Sequence, residues 1–213
     1  MARPSRDQDR KLIDAARRML PETGLSGLSV RAVARRARVN LGMFHYHFKT
    51  KRAFQRRVLQ EAYEDFFAVF SAAAGGPGAP RERLRRLLVA VARFARDNRV
   101  LFTLLMREFL NAQPDVAAFA QENFPRHVAV LLGLLDECRR EGSVRPLPPH
   151  ALALFAMPAM GLPNIAVTAF ERNRVRTLGG RPLAEFSAAV LGDAMIETRA
   201  DMVLAALAPG RPA

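Results

Sequence analysis

Residues 36–51 read RARVNLGMFHYHFKTK. Phe44, His45, Tyr46, His47 and Phe48 follow one another without a break, with basic residues at both ends. Such a run could be a strand, a metal clip or a surface for something negatively charged. A strand would alternate, yet the turn signals at Arg38-Val39-Asn40 and Lys49-Thr50 stand too close together for a packed hairpin. On a helix, at about 100° per residue, the run sorts cleanly. Phe44 and Phe48 point one way, with Val39 and Leu41 nearby. Gly42 and Tyr46 point the opposite way, flanked by His45 on one side and by Met43 and His47 on the other. The same geometry sets His45 and His47 about 200° apart, too far to share an ion. No Cys, Asp or Glu stands nearby in the chain, so no metal and no cofactor is expected.

Working outward, nearly every segment carries helical period, and no strand is expected. A first helix is expected after Ser5, whose spacing to Gln8 is that of a capping box. Leu12, Ile13, Ala16, Met19 and Leu20 share its inner face, and Pro21 and Gly24 close it. Ser29 is the expected cap of a short second helix, VRAVARRA, with Val30, Val33 and Ala37 inward. Asn40 caps a third, LGMFHYHF. Thr50 caps a long fourth helix through Phe54, Val58, Ala62, Phe66 and Phe70. Beyond a loop at SAAAGGPGAP, helices are expected over 82–97, 100–111, 114–141, 149–170 and 183–207. The fold class is therefore all-α: an N-terminal helix-turn-helix bundle over residues 1–50, a connecting helix over 51–73, a loop over 74–81, a larger helical regulatory and dimerisation domain over 82–208, and a disordered tail at 209–213.

Charge separates these regions. The 213 residues carry a net +13, but residues 1–57 hold 15 Lys+Arg against 4 Asp+Glu, and the rest hold 18 against 16. Arginine supplies 30 of the 33 basic residues, a preference that compositional bias would explain. Bias would not explain the clustering, which marks a footprint for a polyanion. The single cysteine, Cys138, excludes an internal disulfide and suits a reducing, cytoplasmic setting. No secretory signal is visible in MARPSRDQDRK. Residues 151–170 are uncharged and long enough for a bilayer, but Pro158, Gly161, Pro163 and Asn164 interrupt them. A buried helix pair is the expectation, with no membrane.

Two short helices joined by a three-residue turn, behind a supporting helix, make a helix-turn-helix. Its third helix would lie in the major groove of double-stranded DNA. Gly42 lets backbone approach DNA, Tyr46 and His47 can donate to phosphates, and Lys51 can reach the backbone. Thr50 and the free N–H groups behind it offer a phosphate seat. Each has a plainer reading: Tyr46 as a surface aromatic, His47 as packing against the first helix, and Arg35 and Arg36 as a solvated, attractive face.

The stretch GLSGLSVRAVARRARVNLGMFHYHFKTKRAF resembles the DNA-binding segment of the TetR-type bacterial transcriptional regulators, with the likeness running from about Asp9 to Tyr63. The resemblance implies a homodimer that sets its third helices in successive major grooves of a palindromic operator. It implies base or phosphate contacts at Arg31, Leu41, Gly42, Met43, His45, Tyr46, His47 and Lys51. Two departures stand out. Arg38 occupies a turn position that is usually glycine, and His45 stands where tyrosine is common, leaving its role open between base and phosphate.

The second domain shows no phosphate loop, metal cluster or nucleophile motif. Glu108 falls among Leu101, Leu104 and Leu105 on a helical wheel. It either pairs with an arginine or joins Met106, Arg107, Asn111, His127 and Asn164 in a ligand pocket lined by Phe94, Phe102, Phe124, Phe155 and Met160. Phe109, Phe119 and Met157 are further apolar candidates. The last helix carries Leu183, Phe186 and Val190 on one face and Leu191, Met195 and Met202 on another. That pattern fits a helix covered by its own subunit and by a partner. These features describe a repressor released from its operator by an unknown small-molecule effector. Two rivals remain at this level, an effector-independent architectural DNA binder whose second domain only dimerises and a helical enzyme with a basic tail. No paired acid and base supports the last.

Overall fold

The periodicity folds as helices. A computed structural model describes residues 4–210. In chain order these form α1 (Pro4–Thr23), α2 (Val30–Ala37), α3 (Leu41–Phe48), α4 (Lys51–Gly75), α5 (Pro80–Asp97), α6 (Arg99–Leu110), α7 (Pro114–Arg140), α8 (Pro149–Arg172), β1 (Thr177–Leu178), β2 (Arg181–Pro182), α9 (Leu183–Leu191) and α10 (Asp193–Leu207). The all-α expectation holds apart from the β1–β2 ladder, which pairs Thr177 with Pro182 and Leu178 with Arg181 in antiparallel register.

Several expected boundaries move. Helix α1 already includes Pro4, so Ser5 does not precede it, and the side chain of Ser5 lies outside the described residues. Pro21 sits inside α1 and does not end it; Gly24, at φ +72°, follows the last turn and donates from its amide to Leu20 O at 3.0 Å. The expected loop at 74–81 shrinks, because α4 runs to Gly75 and α5 starts at Pro80. Residues 149–172 form one helix rather than a pair, with Pro158 and Pro163 inside it. The last expected helix is broken at Gly192, whose backbone is extended (φ −63°, ψ 152°). A Cβ at 192 would come within 2.8 Å of the Ala188 carbonyl, a contact that glycine avoids. The last three residues of the expected tail lie outside the described residues.

The chain divides into two compact units. One holds the described residues up to Asp65 together with Leu104–Ala120; the other holds Phe66–Thr103 and the described residues from Gln121 on. This differs from the expected limits at residues 50 and 82: the first quarter of α7 and most of α6 group with the N-terminal helices. In the first unit Leu12, Ile13, Ala16 and Leu20 of α1 are buried, as are Val33 of α2, Phe44 of α3 and Phe54 and Val58 of α4. Apart from Ala16, whose single methyl adds less, each such side chain contributes roughly 1.5–3 kcal/mol on burial. The second unit is built on Phe70, Leu84, Leu87, Leu88, Leu134, Leu135, Leu152, Ala156, Met160 and Val203.

Helix α8 is long and apolar enough to cross a membrane by length and composition, yet only 33% of its apolar window is buried. Leu154, Phe155 and Leu162, at 75%, 56% and 57% exposure, lie on one face of it. The expectation of a buried segment therefore fails for the single chain.

Candidate nucleic-acid interface

Both short helices start on the caps expected of them. Ser29 Oγ accepts from Ala32 N at 3.4 Å, and Asn40 Oδ1 accepts from Gly42 N at 2.8 Å. Such caps contribute about 1 kcal/mol each. Between them the chain turns through Arg38, which takes the left-handed conformation (φ 54°, ψ 41°) that glycine usually fills. Its amide donates to Arg35 O at 3.2 Å, and Val39 N donates to Ala34 O at 3.0 Å. The turn keeps its ordinary shape, and the arginine bears a strain of about 1 kcal/mol.

Helix α3 is held from one side by rings. Phe44 meets Phe54 edge-on at 5.0 Å between centroids, and Phe48 meets Phe54 at 4.8 Å. Phe44 is fully buried and Phe48 half-buried, as the wheel requires. The opposite edge is free: Leu41, Gly42, His45 and Tyr46 are exposed, Tyr46 to 70%, and Met43 is half-buried. His47 departs from its expected role. Its Nε2 is buried and makes no hydrogen bond, and its ring lies edge-on to Tyr46 at 5.2 Å. That nitrogen cannot donate to a phosphate in this conformation.

The corner after α3 is sharper than the sequence suggests. Lys49 has φ 56° and ψ −50°, and Thr50 N donates to Phe48 O at 2.5 Å, closing a γ-turn of the strained hand. Thr50 Oγ1 then accepts from Ala53 N at 3.1 Å and caps α4. The exposed Lys51 donates through Nζ to Ser26 O at 3.0 Å, so its ammonium is anchored on the α1–α2 loop. Arg31, Arg35, Arg36, Arg38 and Lys49 are exposed, and none has a side-chain partner among the described residues. On α4 and α1, by contrast, Arg52 pairs with Asp115, Arg57 with Glu61 and Arg17 with Asp65. Positive charge is therefore left uncompensated along α2 and α3, where a polyanion would meet it.

Three side chains clasp the loop between α1 and α2. Leu25 N donates to Glu108 Oε1 at 3.2 Å, Leu25 O accepts from Gln55 Nε2, and Lys51 takes Ser26 O. Glu108 thus pairs with no arginine among the described residues; it satisfies a buried backbone amide.

The remaining pocket candidates do not converge. In the first unit Arg107 and Asn111 are exposed and Met106 is half-buried. In the second, Phe102 is half-buried, Phe124 and Phe155 are exposed, and Met160 belongs to the core. Asn164 is buried; its Nδ2 donates to Met160 O at 3.3 Å, while Oδ1 has no partner. His127 stands among Phe66, Phe70 and Phe124 at 5.2–5.7 Å, and burial pushes its pKa below the ordinary histidine value. An open cleft of about 440 Å³ is lined by Val69, Arg85, Val89, Arg93, Phe94 and Glu197, among others. Only Phe94 of the expected lining borders it.

Known proteins resemble the chain over two stretches. Residues 12–58 match the family described as "Bacterial regulatory proteins, tetR family", and residues 77–161 match "Tetracyclin repressor-like, C-terminal domain". Among curated relatives, the probable HTH-type transcriptional regulator YttP of Bacillus subtilis is 29% identical over 100 residues, covering 46% of this chain and 48% of that one. The HTH-type transcriptional regulator BetI of Burkholderia thailandensis is 33% identical over 81 residues, 38% of this chain and 42% of its own. The chain thus matches less than half the length of either. In fold it is similar to a protein of unknown function from Rhodococcus sp. RHA1 (TM-score 0.69, 21% identity, 94% and 95% of the two chains). It is also similar to a regulator from Saccharomonospora viridis in complex with choline (0.67, 18%, 87% and 93%) and to FadR from Bacillus subtilis in complex with stearoyl-CoA (0.65, 17%, 85% and 95%).

Proposed function

We propose, from the premise that this chain belongs to the TetR family of bacterial regulatory proteins, that it is a cytoplasmic, dimeric repressor that binds a palindromic operator and is released by a small-molecule effector. The observation that carries DNA binding is the free edge of α3. Leu41, Gly42, His45 and Tyr46 lie open beside Arg31, Arg35, Arg36 and Arg38, which pair with no acid among the described residues. Base-edge contacts fall to the N-terminal part of α3 and to Arg31, and phosphate contacts to Tyr46, Thr50 and Lys51.

Dimerisation is supported by the bare apolar faces of α8 (Leu154, Phe155, Leu162) and α10 (Met195, Met202). Together they suit a four-helix interface between two subunits. A dimer would set two copies of α3 about 34 Å apart, one turn of DNA. Helix α4, 25 residues and so about 38 Å long, joins both units covalently. An effector that favours one disposition of α4 would alter that spacing. Coupling of about 1–3 kcal/mol would weaken operator binding roughly 5–150-fold.

One observation favours a second reading, in which the second unit only dimerises. The expected pocket residues are scattered between core and surface, and the cleft of about 440 Å³ takes only Phe94 from among them. Gel retardation on a DNA fragment from immediately upstream of the protein's own gene tests the first part. A retarded complex at nanomolar protein, lost on scrambled DNA and with Tyr46→Ala, is the expected result. Adding amphipathic acyl compounds and quaternary amines to that complex separates the two readings: release supports an effector, and indifference to every compound favours the second.

A further inference from the structure

We propose that the connection between α8 and α9, Arg172–Arg181, is a second DNA-contacting surface that grips phosphates flanking the operator. The inference rests on the reading that the chain binds DNA. Arg172, Arg174, Arg176 and Arg181 are all exposed, and no acid occurs from Arg172 to Ala184. The whole positive surplus of residues 58–213 sits here; outside these four, that part of the chain holds fourteen basic against sixteen acidic residues.

What sets the cluster apart is that its charges are unspent. Elsewhere in the second unit most arginines are engaged: Arg85 grips Asp201, Arg93 and Arg96 share Asp193, Arg99 meets Glu171, and Arg139 and Arg140 share Asp136, while the exposed Arg145 stands apart as a single unpaired cation among the described residues. None of the four connecting arginines has a side-chain partner among the described residues. Glu171, the adjoining acid, is already held by Arg99.

The backbone beneath them is ordered. Asn173 Nδ2 closes α8 on Ala169 O at 2.8 Å, Arg174 takes a left-handed conformation at φ 56°, and the β1–β2 ladder turns through Gly179 and Gly180. Leu183 N donates to Arg176 O at 2.8 Å, tying the middle of the segment to the first residue of α9. A non-glycine residue in that conformation is worth reading as a sign of use. The backbone that carries the arginines is therefore held by hydrogen bonds, which lowers the backbone share of the entropy lost on binding.

Its chemistry fits phosphate better than protein. Protein interfaces centre on apolar or aromatic anchors. Here the two leucines of the segment's end, Leu178 and Leu183, are half-buried and buried, which leaves arginine as the exposed material. Arginine makes bidentate contacts to phosphate and carries no sequence information there. The surface would add affinity and salt dependence while leaving operator choice to α3.

The test uses the full-length protein with all four arginines changed to glutamine, and a companion with all four changed to lysine. Each is titrated against salt on two DNAs: the upstream fragment, and the same operator trimmed to its footprint. The expected result is a slope of log affinity against log salt that falls by roughly 0.9 for each lost phosphate contact. That loss should appear on the long fragment only, with lysine restoring most of the slope. Equal slopes for wild type and the glutamine variant on the long fragment would overturn the proposal. So would a glutamine variant that binds both DNAs like wild type but loses retention on a polyglutamate column, a result that would assign the surface to an acidic protein partner. Tyr46→Ala serves as the control for α3: wild type that retards neither DNA would overturn the DNA-binding reading itself, whereas a wild-type complex sensitive to Tyr46→Ala but not to the glutamine changes would overturn this surface alone.

Discussion

Glu108 Oε1 accepts the backbone amide of Leu25 at 3.2 Å, and both residues are almost completely buried (5% and 4% exposed). The carboxylate comes from α6 and the amide from the loop that leads into the helix-turn-helix. The same peptide's carbonyl is held by Gln55 of α4. Glu108→Ala strands a buried donor and is expected to cost about 1–3 kcal/mol, read from urea unfolding followed by circular dichroism. Glu108→Gln keeps an acceptor and should recover at least half of that. A loss as large for glutamine as for alanine would mean the charge, not the hydrogen bond, matters at this position.

Phe44 and Tyr46 should separate stability from binding, although they stand two residues apart. Phe44→Ala empties a fully buried site packed against Phe54 and should cost about 3–5 kcal/mol. Tyr46→Ala removes an exposed ring and should change stability by no more than about 0.5 kcal/mol. Operator affinity should nevertheless fall with the tyrosine variant. Thermal unfolding and DNA retardation measured on the same two preparations decide it.

The left-handed Arg38 offers a test of strain. Arg38→Gly and Arg38→Ala both remove the charge, and only glycine accepts φ 54° freely. The glycine variant should be more stable than the alanine variant by about 1 kcal/mol. Their DNA affinities should fall by similar factors, since each loses one unpaired cation. Melting temperatures that coincide would show that the turn relaxes on substitution.

The exposed face of α8 predicts the oligomeric state. Leu154→Arg or Leu162→Arg places a charge where a second subunit is proposed to pack. Either should weaken self-association by about 100-fold or more, near 3 kcal/mol, as read by sedimentation velocity across micromolar concentrations. Wild-type protein that sediments as a monomer throughout that range would remove the dimer and, with it, the two-groove reading.

Acid sensitivity should begin with His127. Its pKa is lowered in the folded chain because burial among phenylalanine rings disfavours the imidazolium. The unfolded chain therefore binds the extra proton first, so stability rises with pH through this window. Stability should be lost as pH falls below about 6.5, the unperturbed value. His127→Phe should flatten that arm of the melting-temperature profile. Asp193, whose pKa the Arg96 and Arg93 guanidinium groups hold down, loses its contribution in a separate window below the ordinary carboxylate range.

Much of the DNA-facing unit was legible because its determinants are local. Asn40 and Gly42 are two residues apart, Phe44 and Phe48 four, and caps and wheel positions depend on nothing further. The partner of Glu108 was not legible, since Leu25 lies 83 positions away and a wheel shows only that a carboxylate faces inward. The break at Gly192 was missed because the apolar pattern runs through it; the close approach of the Ala188 carbonyl is a backbone effect that hydropathy does not carry. The strain at Lys49 was missed for a related reason, as lysine gives no hint of positive φ. Burial of His47 Nε2 depends on its rotamer, which sequence does not specify.

The grouping of Leu104–Ala120 with the N-terminal helices bears on protein engineering. Reader heads are most simply exchanged between regulators by cutting once, within the long connecting helix. Here a single cut after Asp65 would carry away the loop around Leu25 without the carboxylate that holds it, and would leave Arg52 without Asp115. A working chimera of this protein needs a discontinuous graft: the N-terminal segment together with seventeen residues from the middle of the chain, moved as a pair.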